Sequence, residues 1–130
     1  YVIENVDGAP LRRPTLLCGS TFGLGASGMW LRRHRQFESS FLLLGQDCRH
    51  PKGKLSIGVY GNGTPQWHRE KLGRNMTASE WREAMGMSWA TKAELSQAIP
   101  PAYTRYVGKQ LIDFLERTNT WGQKTGARRG

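Results

Sequence analysis

The run Tyr1-Val2-Ile3-Glu4-Asn5-Val6, followed by Asp7-Gly8-Ala9-Pro10, decides how this chain is read. Its β-branched residues favour extended backbone, and a short apolar run ending in turn residues reads as a buried strand. That strand carries an acid and an amide, Glu4 and Asn5, towards its carboxyl end. In open α/β sheets ligands bind just beyond the carboxyl ends of strands, so Glu4 and Asn5 stand where chemistry is done. The expectation is an incomplete α/β unit, the back half of a larger sheet.

Composition narrows the partners. At 130 residues the chain is one domain's worth, large enough for a core but short for an α/β enzyme. A net charge of +9 and a pI near 10.2 favour polyanions, nucleic acid first and an anionic membrane surface second. A solvated basic surface is the bland alternative. No apolar run approaches the ~18 residues of a transmembrane span, and no charged-then-apolar signal peptide opens the chain. Cys18 and Cys48 are the only cysteines, too few for a disulfide framework, which points to a reducing cytoplasm.

Further along, Leu11 to Ser27 is turn-rich around the apolar Thr15-Leu16-Leu17-Cys18. From Met29 to Ser40 the pattern predicts one strand, with Arg33, Arg35 and Phe37 on one face by the period of two. Leu55 to Tyr60 alternates as a strand closed by Gly61-Asn62-Gly63, inside a small loop-and-strand insert. Thr77-Ala78-Ser79-Glu80 and Thr91-Lys92-Ala93-Glu94 both fit the capping box that satisfies free N–H groups at a helix start. They predict helices over about Ala78 to Met85, ending at Gly86, and from about Lys92. Pro100-Pro101 opens a last helix, with Tyr103, Tyr106, Val107, Leu111, Phe114 and Leu115 as its apolar stripe. Gly122 to Gly130 reads as a disordered basic tail.

Three constellations could carry chemistry. Gly23-Leu24-Gly25-Ala26-Ser27-Gly28 satisfies G-x-G-x-x-G, but a phosphate loop needs a helix N-terminus after it, and a strand follows here. A flexible glycine loop is the better reading. Cys48, His50, His34 and His68, with Cys18, include zinc-binding residue types, yet none has paired C-x-x-C or H-x-x-x-H spacing. No metal site is assigned, and no base stands beside Cys18 in sequence to make it a nucleophile. Arg33 and Arg35, beside Arg32 and His34, concentrate guanidinium groups suited to phosphate or carbonyl oxygens. An edge strand armoured with charge explains them equally well.

Taken together, Glu4-Asn5-Val6 and the Arg33-x-Arg35 strand resemble two motifs of the DNA (cytosine-5) methyltransferases, E-N-V and Q-x-R-x-R. Trp81-Arg82-Glu83-Ala84-Met85-Gly86-Met87-Ser88-Trp89 is similar to the family's ninth motif. Gln97-Ala98-Ile99-Pro100-Pro101 is similar to its tenth, G-N-x-V-P-P. The wording, including Arg33-His34-Arg35-Gln36-Phe37-Glu38 and Gly58-Val59-Tyr60-Gly61, is most similar to phage-encoded members. The resemblance implies a partial Rossmann-like sheet with a small irregular β insert and C-terminal helices. Residues 1–40 would be the last core strands, 41–76 a short target-recognition insert, 77–117 the returning helices and 118–130 a basic flexible tail.

The resemblance also implies roles. Glu4 would bond the N3 and amino edge of a cytosine flipped out of the duplex, and Asn5 would hold the loop bearing the nucleophile. Arg35 would contact the cytosine O2, and Arg33 the backbone or a neighbouring loop. Gln97, Ala98 and Ile99 would wall the pocket of S-adenosylmethionine, the methyl donor. Arg32, Arg33, Arg49, Lys52 and Lys54 would contact double-stranded DNA, in the cytoplasm of a bacterial host. The departures are the Gln of Q-x-R-x-R, which is Leu31 here, and the Gly-Asn of the tenth motif, which is Ser96-Gln97. No Pro-Cys dipeptide occurs, and the cofactor loop precedes E-N-V in the family, so this chain alone is expected to be inactive.

Three functions follow. The chain is the C-terminal part of a methyltransferase, completed by a missing N-terminal half; or a non-catalytic remnant that binds DNA or a host-defence protein; or an unrelated basic binding module. The first predicts an exposed apolar edge on the opening strand, covered by that half or by a second copy of the chain.

Overall fold

Strand β1 (Val2–Val6) forms where the β-branched run predicts it. It pairs antiparallel with β5 (His34–Ser39), which pairs antiparallel on its other side with β2 (Thr15–Cys18), giving the order β1-β5-β2. The computed structural model describes residues 1–61 and 63–126, with backbone alone over 120–126. Among the described residues β1 has an unpaired outer edge, and it leaves Tyr1, Ile3 and Val6 exposed.

The long strand expected over Met29–Ser40 is two strands in different sheets. Strand β4 (Met29–Leu31) stops before Arg32-Arg33, and β5 starts at His34. Strand β4 sits between β3 (Gly25–Ala26), antiparallel, and β6 (Ser56–Ile57), parallel. The turn joining β3 to β4 places Ser27 at φ 52° and Gly28 at φ 75°, the left-handed pair that a tight hairpin needs. The G-x-G-x-x-G run is therefore a hairpin. A Cβ on Gly25 would meet the Met29 carbonyl oxygen at 2.0 Å.

Among the described residues, four α-helices complete a mixed α/β fold: α1 (Gln66–Leu72), α2 (Ala78–Met85), α3 (Lys92–Gln97) and α4 (Pro101–Gly126). Both predicted capping boxes form, Thr77 with Glu80 and Thr91 with Glu94. The small sheet packs on α2 and α3 through Leu31, Ile57, Trp81, Met85 and Leu95. The first sheet packs on α4 through Leu17, Phe37, Tyr103 and Val107. Of the expected apolar stripe, Phe114 and Leu115 lie exposed beyond this core, as does neighbouring Ile112. Helix α4 runs on through Gly126, where a flexible tail is expected from residue 118; residues 127–130 lie outside the described residues. Among the described residues no helix is long and apolar enough to cross a membrane.

Candidate functional site

A cleft of about 580 Å³ opens where β1, the β4–β5 junction, β6, α1 and the end of α3 meet. Val6, Asp7, Arg32, His34 and Arg35 line it together with Tyr60, Trp67, His68 and Gln97. Strand pairing brings the two motif strands together. Glu4 lies opposite Phe37 and Val6 opposite Arg35 in the register, so Glu4 and Arg35 are diagonal neighbours on one face.

Arg35 Nε stands 3.0 Å from Glu4 Oε1. The N–H is not directed at that oxygen, and both atoms are buried without a hydrogen bond. The contact is an ion pair that leaves hydrogen-bonding capacity on both partners. Asn5 points elsewhere: it is exposed, and its Oδ1 accepts from the Val6 N–H at 2.8 Å.

Arg33 departs from its expected role as a DNA contact. It is only 2% exposed. Its guanidinium donates to the carbonyls of Val59, Ser96 and Ala98, and Tyr103 Oη donates to its own carbonyl. Burial, and then the charge of Arg35, push its pKa down to about 10, which keeps it cationic at neutral pH. The side chain is a clamp between the sheet junction, the segment after β6 and the end of α3. A buried cation with all its neighbours satisfied has no reach to a phosphate.

The remaining expected contacts divide. Arg32 is exposed at the cleft wall. Arg49, Lys52 and Lys54 are exposed but do not line the cleft; Lys54 borders a shallower depression with Gly23, Gly28 and Glu83. Gln97 is exposed and faces the cleft, whereas the Ala98 carbonyl is occupied by Arg33 and Ile99 packs on the core of the first sheet. Of these three residues only Gln97 lines the cleft, so they do not make up a cofactor site by themselves.

Helix α1 supplies the cleft residues that sequence reading missed. Pro65 precedes it and Gly73 ends it in the left-handed conformation, the proline-first, glycine-last asymmetry that marks a short helix. His68 is 1% exposed, and neither ring nitrogen has a partner. Burial, then nearby Lys71, push its pKa down, so the imidazole is neutral. Comparison with protein-family models, curated proteins and solved structures finds no match.

Proposed function

We propose that this cleft is the cytosine-binding part of a DNA (cytosine-5) methyltransferase, working with polypeptide that carries the Pro-Cys nucleophile and the cofactor loop. The Glu4–Arg35 pair carries the reading, because the resemblance assigns these two residues to one base and they stand 3.0 Å apart. Arg35 lines the cleft and Glu4 adjoins it only through Arg35. Glu4 Oε1 and Arg35 Nε are buried without a hydrogen bond, so a base edge offering donors and acceptors would have to part the pair to use that capacity. Glu4 would share a proton at N3 as negative charge develops in the ring on attack at C6, and Arg35 would stabilise that charge at O2. Tyr60 and Trp67, each 45% exposed beside the cleft, offer faces on which bases stack.

S-adenosylmethionine would supply the methyl group. With only Gln97 of the three expected contacts turned to the cleft, the cofactor is assigned mainly to the polypeptide bearing the glycine loop. Strands β1 and β2 run in one direction on either side of antiparallel β5. That arrangement suits the end of a larger Rossmann-like sheet whose next strand pairs with the open edge of β1.

The test is binding of the full chain to duplexes carrying one cytosine either paired or mismatched. Flipping costs least for a mismatched base, so the mismatch should bind about tenfold tighter or more. Glu4→Gln and Arg35→Ala should remove that preference while leaving a salt-dependent background. No binding at low salt would sink the proposal. A preference indifferent to both variants would also remove it and leave only a non-catalytic DNA-binding role.

A further inference from the structure

Four side chains that no spacing rule links converge on the first sheet, on the face opposite Phe37 and α4. Cys18 ends β2 and His34 starts β5, as cross-strand partners. Cys48 and His50 come from the irregular segment 40–55 between β5 and β6. One ligand atom from each lies within 4.8 Å of all the others. Cys18 Sγ is 3.4 Å from His50 Nε2, and Cys48 Sγ is 3.5 Å from His34 Nε2.

Those distances suit a tetrahedron. With Zn–S of about 2.3 Å and Zn–N of about 2.0–2.1 Å, an S···N edge is about 3.5 Å and an S···S edge about 3.8 Å. Both measured pairs already have the edge length, and the widest pair needs to close by only about 1 Å. Two separate thiol–imidazole hydrogen bonds would account for each pair, but not for the two pairs meeting at one point.

We propose that Cys18, His34, Cys48 and His50 form a structural zinc site. Two thiolates match the charge of a divalent cation, and a tetrahedral S2N2 set favours zinc over harder ions. All four positions come from protein, which leaves no open coordination for catalysis. His68, grouped with these residues by composition alone, lies in the cleft instead.

The surroundings orient the ligands as metal sites require. Asp7 Oδ2 stands 3.8 Å from the other ring nitrogen of His34, beyond hydrogen-bond distance but near enough to accept from it after a small shift, and Gln36 Nε2 donates to Asp7 at 3.1 Å. Ser20 Oγ donates to Cys18 Sγ at 3.3 Å, and the Trp30 ring stacks on His50 at 4.5 Å. Hydrogen bonds from Thr15, Thr21 and Tyr106 already tie segment 40–55, and the metal would add a further fastening to β2 and β5. It would also fix His34, which lines the cleft. The site stands independently of the methyltransferase reading.

The experiment uses the full chain, reduced, loaded with zinc and dialysed, with metal content measured by mass spectrometry and the metal-free form titrated with Co²⁺. One zinc per chain and an intense tetrahedral cobalt spectrum with sulfur-to-metal charge transfer are expected. At a hundredfold excess over Kd, zinc should raise the melting temperature by about 8–13 °C. Cys48→Ser and His50→Ala replace surface residues, so both should stay folded by circular dichroism. Each should weaken zinc binding by more than the ~10–100-fold lost with an orienting partner. Substoichiometric zinc after loading, an octahedral cobalt spectrum, or full zinc content in a Cys48→Ser, His50→Ala double variant would each overturn the site. So would a Cys18–Cys48 disulfide whose reduction restores no metal uptake.

Discussion

Arg33→Met separates a structural clamp from a DNA contact. The guanidinium makes four hydrogen bonds to three carbonyls, those of Val59, Ser96 and Ala98, and its removal leaves those oxygens facing an apolar chain. A hydrogen bond to a charged group contributes about 1.5–3 kcal/mol, and an orphaned buried acceptor costs about 1–3 kcal/mol. The bonds share one side chain, and the variant no longer desolvates a cation, so the losses do not sum. The net loss should be about 3–5 kcal/mol, from three carbonyls orphaned at about 1–3 kcal/mol each, offset by the released desolvation of the cation. Against a total stability of about 5–15 kcal/mol, that is a large fraction. At about 3–5 °C per kcal/mol for a chain of this size, the melting temperature should fall by roughly 10–20 °C.

Thermal and urea unfolding of the full chain would be followed by circular dichroism, alongside DNA titrations across a salt series. Arg33→Lys should fall between wild type and Arg33→Met, because a lysine keeps the charge but lacks the planar fork. The salt slope of DNA binding should be unchanged at temperatures where the variants are folded. Losing a phosphate contact would instead lower that slope by about 0.9. The reasoning fails if Arg33→Met melts within about 2 °C of wild type while the slope drops by that amount.

Two further outcomes concern pH. Glu80, 8% exposed, accepts from Arg74 at 2.7 and 2.9 Å, from Ser27 Oγ at 2.8 Å and from the Thr77 N–H at 2.9 Å. These donors, Arg74 foremost, hold its carboxyl well below the usual range, so its contribution is full above the unfolded value near ~4.3 and is lost as pH falls. Glu80→Gln should cost about 2–3 kcal/mol at pH 7, and the gap in urea midpoints should narrow towards pH 3; an equal gap at both would contradict this. His68, with its pKa depressed by burial, should contribute a loss of stability as pH falls below the unfolded value near ~6.5, where the unfolded ring takes a proton more readily than the buried one. His68→Phe keeps an aromatic ring against Trp67 and should lose less stability between pH 7 and pH 5, measured by melting temperature; identical losses would count against the buried neutral imidazole.

Local chemistry was legible in the sequence. The β-branched run at Val2–Val6 and the hydroxyl–carboxylate spacing at Thr77–Glu80 and Thr91–Glu94 act within a few residues of backbone, so strand and helix starts fall where residue type puts them. The resemblance assigned Glu4 and Arg35 to one base, but their adjacency comes from the antiparallel pairing of β1 with β5, which motif order does not specify. Other features were decided only by the tertiary structure. The break at Arg32-Arg33 depends on two sheets competing for one extended run, and nothing in its alternation marks the point of exchange. An arginine between Arg32 and His34 reads as surface, and only carbonyls contributed from residues 59, 96 and 98 make its burial favourable. The Cys18, His34, Cys48 and His50 cluster has no sequence signature because its members come from two strands and a loop. Ligand geometry is a distance in space, and chain folding alone brings those four atoms within reach of one ion.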